Sequence, residues 1–89
     1  MITSEELNTA KILWEQSKES ALLAHESWAL VIQSYKTLKK GFRSSGLSFD
    51  QAEKEFEKLM EDHSGRYIKS LEHMDKMNEA YGQLLNGIQ

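Results

Sequence analysis

The sequence predicts an all-α fold built as an antiparallel two-helix hairpin with coiled-coil-like packing. Three observations carry that expectation. Proline is absent, and the helix formers Glu, Lys, Leu, Ala, Gln and Met dominate both halves of the 89 residues. Two apolar stripes advance in alternating steps of three and four residues, the spacing of a helical seam. A short stretch rich in glycine and serine separates them, which is how antiparallel neighbours are joined.

The first helix is predicted to begin at Thr3, whose hydroxyl caps an orphan N–H while Glu6, three residues on, reaches back to complete a capping box. Ile2 and Leu7 fall at the staple positions around it. From Leu7 the seam runs through Ala10, Trp14, Ser17, Ala21, Ala24, Trp28, Val31, Tyr35, Leu38 and Phe42. Lys39 and Lys40 suit the negative end of a helix dipole, and Gly41 suits a left-handed cap just beyond it. Helix 1 is therefore expected over about 4–40 as one rod of roughly 37 residues, about 55 Å long at 1.5 Å per residue.

A loop over 41–48 follows. Ser48 and Gln51 form a second capping box. The second stripe uses Phe49, Ala52, Phe56, Met60, His63, Tyr67, Leu71, Met74, Asn78, Tyr81, Leu85 and Ile88. Helix 2 is expected over about 49–86, with a possible kink at 63–65. Continuity is favoured, because Met60, Tyr67, Met74 and Tyr81 keep a seven-residue period across Gly65. All 89 residues then form one domain, since a chain this small holds one core.

With the turn centred near residue 44 or 45, opposed residues have numbers adding to about 89. Trp28 should lie near Met60, Trp14 near Met74, and Ala21 and Ala24 near Tyr67 and Gly65. Gly65 would then make room for Trp28 and Ala24. At the tip, Lys36, Lys39, Lys40 and Arg43 would meet Asp50, Glu53, Glu55 and Glu57. The intrachain seam thus comprises Trp14, Ala21, Ala24, Trp28, Val31 and Tyr35 against Phe56, Met60, Tyr67, Leu71, Met74 and Tyr81.

The two helix backs differ. At 100° per residue, Leu13, Leu23 and Leu30 lie behind the helix 1 seam among Gln16, Ser20, Ser27 and Ser34, with Leu22, Ala29 and Ile32 to the sides. The back of helix 2 carries Glu55, Asp62, Arg66, Lys69, His73, Lys76 and Gln83, which favour water. Each leucine removed from water contributes roughly 1.5–3 kcal/mol, so leaving this face bare forfeits a sum comparable to the stability of a small domain. A partner interface is expected on Leu13, Ser20, Leu22, Leu23, Ser27, Leu30, Ile32 and Ser34. Its occupant is a second copy, giving a homodimeric four-helix bundle, or a helix of another protein.

Several function classes fall away. The formal charge of −3 gives no basic footprint for nucleic acid. The acidic start, Met-Ile-Thr-Ser-Glu-Glu-Leu, lacks the basic and then apolar pattern of a signal peptide, so none is expected, and Ala21 to Tyr35 is too short and polar to be expected to span a membrane. A cytoplasmic location is expected; export without a cleaved signal leaves the same pattern. No cysteine is present, and no phosphate loop, zinc-protease motif or nucleophile constellation occurs, so no enzyme, cofactor or metal is expected. The hairpin could bring His25 and His63 together with Glu26 and Asp62, but metal-binding histidines on helices usually stand at i, i+4; a structural role for His63 and a solvated one for His73 fit better.

In size and hairpin architecture the whole chain resembles the WXG100 group of bacterial specialised secretion. Gly41-Phe42-Arg43-Ser44-Ser45-Gly46 stands where that group carries Trp-x-Gly, and Tyr81 is followed by Leu85 where its tail signal has an acid. No functional residue carries over. The leading expectation is a non-enzymatic protein–protein interaction module using the back of helix 1. The alternatives are a secretion-system component or chaperone, and an inhibitor or immunity-type protein acting through an acidic helix 2 surface.

Overall fold

A computed structural model describes residues 2–87. They are all-helical, with α1 over Ser4–Gln33, α2 over Tyr35–Ser44 and α3 over Phe49–Asn86. No strand occurs among the described residues. The helices form a rod with extents of 63 × 16 × 14 Å. α3 lies alongside both α1 and α2, and its residues meet theirs in descending order: Trp14 against Tyr81, Trp28 against Tyr67, Tyr35 against Phe56.

Thr3 starts α1 by accepting from the Glu6 N–H at 3.1 Å. The reciprocal bond from Glu6 expected of a capping box does not form there. It does form at α3, where the Gln51 N–H donates to Ser48 Oγ and the Ser48 N–H donates to Gln51 Oε1. At the far end of the rod, the side chain of Ile2 closes over Gly87; a Cβ built on that glycine would lie 2.6 Å from Ile2 Cδ1.

The first rod departs from expectation in two places. Ser34 interrupts it at φ −92, ψ 13, and its N–H is shared between Leu30 O and Val31 O at 2.9 and 3.2 Å. The turn tightens without ending the rod, since the Leu38 N–H still bonds Ser34 O at 2.8 Å. Ser34, one residue beyond the β-branched pair Val31-Ile32 and Gln33, is a weak point in helix propensity. Beyond it, Gly41 is not the cap. The helix passes through Gly41 and stops at Ser44, where Gly46 takes φ 105. The Gly46 N–H bonds Arg43 O at 3.0 Å and the Leu47 N–H bonds Phe42 O at 3.3 Å, the two bonds of a Schellman motif with Phe42 and Leu47 as its apolar pair.

Because the helix runs on past Gly41, the turn sits later and the register moves. Trp28 stacks on Tyr67, with ring centroids 5.7 Å apart, where Met60 was expected. Trp14 meets Tyr81 at 5.5 Å in place of Met74. α3 passes through Gly65 without a break. Gly65 does not make room for Trp28 or Ala24 either, because a Cβ added there meets nothing within 4 Å; the same holds for Gly41 and Gly82. Opposite signs are therefore expected from glycine-to-alanine changes. At Gly41, Gly65 or Gly82, alanine should raise stability by about 0.5–1 kcal/mol in chemical denaturation. At Gly46 it should lower stability by about 1–2 kcal/mol, since an L side chain resists the left-handed conformation.

The core is thin. Its buried apolar residues are Ala21, Val31, Ala52 and Phe56, and no large side chain is fully buried among the described residues. Ser17 is buried within the seam and satisfied by donating to Trp14 O at 2.6 Å. In the last turns of α3 the seam is shifted by one residue from the expected stripe: Met77 and Leu84 are half-buried, while Asn78 and Leu85 are exposed.

Candidate protein-binding face

α1 is apolar on more sides than α3 covers. The seam residues Trp14, Ala21, Ala24, Trp28, Val31 and Tyr35, with Phe56, Met60, Tyr67, Leu71, Met74 and Tyr81 opposite, are all buried or half-buried. Aromatic contacts dominate that seam. Lys18 Nζ lies 4.1 Å from the centroid of the Trp14 ring, a favourable cation–π position. His25 stands edge-on to Tyr67 at 5.1 Å and to Trp28 at 6.3 Å. This places His25 in an aromatic group and not in a metal cluster; no three His, Cys, Asp or Glu side chains converge among the described residues. The Trp28 indole N–H is buried without an acceptor, which costs on the order of 1–3 kcal/mol.

Of the residues expected at a partner interface, Leu13, Ser20, Leu22, Leu23, Ser27, Leu30 and Ile32 are exposed, and Ser34 is half-buried at the helix interruption. Leu23 and Leu30 are each 63% exposed. They do not form one strip. At 100° per residue, Leu13, Ser20, Leu23, Ser27 and Leu30 flank the seam on one side, and Leu22, Ala29 and Ile32 flank it on the other. The first flank is uncharged along its length: Thr9, Leu13, Gln16, Ser20, Leu23, Ser27 and Leu30 follow one another with steps of three and four. On α3, Ile68 is 55% exposed. Ile68 and the exposed Ile12 were not among the expected interface residues. Their signal was present as apolar residues off the stripe, but each is flanked in its own heptad position by charge, Glu61 and Asp75 for Ile68 and Glu5 and Glu19 for Ile12.

The end near the turn is held differently. Of the cations expected to pair there, Lys39 alone closes on an acid among the described residues, and it is buried. Its ammonium contacts Glu53, donates to Tyr35 Oη at 3.0 Å and sits 3.7 Å from the Phe49 ring centroid. Tyr35 Oη donates to Glu53 Oε2 at 2.7 Å, and its ring stands edge-on to Phe56 at 4.7 Å. Arg43 lies 6.0 Å from the Phe49 ring, and Glu55 pairs with Lys58 within α3. This clamp ties α2 to the start of α3 beside the buried Ala52 and Phe56.

The Lys39 ammonium and the Tyr35 hydroxyl, both donating to Glu53, hold its carboxyl below the ordinary 4.5; the same pairing raises Lys39 above 10.5. A depressed folded-state value stabilises the fold above the unfolded one and is lost as pH falls through the folded value. Glu53→Gln should therefore lower Tm at neutral pH, and its deficit should shrink steadily as pH falls below 4.5. Thermal melts across that range measure it; a deficit independent of pH would contradict the clamp.

No helix is long and apolar enough to cross a membrane among the described residues. Comparison with protein-family models, with curated proteins and with solved structures finds no match.

Proposed function

We propose that this chain is a non-enzymatic helical-hairpin interaction module that binds a helical partner, its own copy or another protein, through the uncharged flank of α1. The observation that supports it is the pairing of Leu23 and Leu30, both 63% exposed, with the small residues Ser20 and Ser27 on a strip free of charge. Surface leucines in isolation are ordinary. A charge-free row of them spaced along one helix, with serines that admit a close backbone, has the form of a helix-packing face. α3 offers no equivalent, because its outward positions alternate acids and bases such as the Asp62–Arg66 pair at 2.7 Å.

A photo-activatable phenylalanine analogue placed at Ser27 and, separately, at Lys69 tests this in cells expressing the chain. Adducts are expected from Ser27 and not from Lys69. Equal yields from both positions, or adducts from Lys69 alone, would overturn the reading.

A further inference from the structure

We infer that the occupant of the α1 flank is a second copy of this chain, laid antiparallel, α1 against α1, with the two-fold axis between Ala21 and Leu22. This rests on the reading of that flank as an interface, and adds which molecule covers it and in which direction.

Surface area is the first ground. The chain exposes 6784 Å². A compact monomer of 10.3 kDa exposes about 5,400 Å² by the scaling of area with mass. The excess of about 1,400 Å² per chain, taken over two copies, lies within the roughly 2,000–5,000 Å² that obligate homodimers bury in total. A rod two helices thick becomes more compact by pairing side by side.

The strip itself is self-complementary, which is the second ground. A two-fold axis between Ala21 and Leu22 sets Leu13 opposite Leu30 of the second copy, Ser20 opposite Leu23, and Gln16 opposite Ser27. Leucine meets serine at the centre and leucine meets leucine at each end, so large and small residues interleave without a buried charge. A parallel pair would stack Ser20 on Ser20 and Ser27 on Ser27, leaving gaps between leucine layers.

Charge gives the direction independently. α1 opens with Glu5 and Glu6, while α2 carries Lys36, Lys40 and Arg43 besides the clamped Lys39 and no acid. Antiparallel pairing opposes the helix dipoles favourably and sets Glu5 and Glu6 of each copy level, along the rod axis, with the cations of α2 in the other. Parallel pairing would gather both basic ends. The antiparallel arrangement has one unfavourable rim pair, Glu19 near Glu26 of the second copy, which water and salt screen.

The chain has no cysteine, so single cysteines report cleanly. Leu13→Cys and Leu30→Cys, both at exposed positions, are purified separately, mixed, and treated with a short bismaleimide. Cross-linking between positions 13 and 30 is expected at least about tenfold above 13-to-13, because two copies of position 13 lie about 25 Å apart in the antiparallel pair at 1.5 Å per residue. Dominant 13-to-13 linkage would overturn the antiparallel second copy while leaving the flank as the interface. No linkage, with a monomeric mass throughout, would overturn the second copy and leave the flank to a foreign helix. No linkage with a dimeric mass that survives Leu23→Glu/Leu30→Glu would overturn both.

Discussion

Replacing Leu23 and Leu30 together with glutamate is expected to abolish association while leaving the helix content unchanged. Both side chains stand 63% exposed in the single chain, so the substitutions remove little of what the intrachain seam buries. In a two-fold pair the change acts twice, on four leucines. At roughly 1.5 kcal/mol or more for each leucine buried, the loss exceeds about 5 kcal/mol, or at least about 1,000-fold in the dissociation constant, before any repulsion between the new carboxylates. Far-UV circular dichroism and gel filtration of the variant together read the outcome. An unchanged elution mass would show that association uses another surface; loss of helicity would show that the flank belongs to the fold itself.

Phe56→Ala is expected to have the largest effect on the isolated fold. Phe56 is 5% exposed, the largest side chain in a core otherwise made of Ala21, Val31 and Ala52. Its ring also supports Tyr35, which orients the acceptor of the Lys39 clamp. Truncating a buried phenylalanine costs about 3–5 kcal/mol, against a total of about 5–15 kcal/mol for a small domain. A fall in Tm of more than about 10 °C should follow for a chain of this size. Loss of less than about 1 kcal/mol in urea denaturation would mean that the start of α3 is not where stability concentrates.

The helical class and the cap of α3 were legible because they depend on local chemistry: no proline, a seven-residue apolar period, and Ser48 with Gln51 three positions on. The register was less so. Gly41 after two lysines carries a familiar stop signal, yet the decisive pattern is Phe42 with Gly46 and Leu47, an apolar residue four before a glycine and another just after it. With Gly46 and not Gly41 at the turn, the register shifts, and Trp14 and Trp28 meet Tyr81 and Tyr67. The tightening at Ser34 depends on competition between a weak propensity and the pull of Tyr35 toward Glu53, and periodicity reports only the phase. The burial of Lys39 was also hidden, since a lysine in a basic run reads as solvated until an acid and two rings are seen to close around it. The face of α1 was partly legible. Leu13, Leu23 and Leu30 are exposed together on one flank, but Leu22 and Ile32 belong to the other.

The most direct measurement is absolute molar mass by light scattering during gel filtration of the unmodified chain across a dilution series. A second copy on the α1 flank requires a mass near twice 10.3 kDa that persists on dilution. A mass of 10.3 kDa at every concentration, with the chain fully helical, would contradict it.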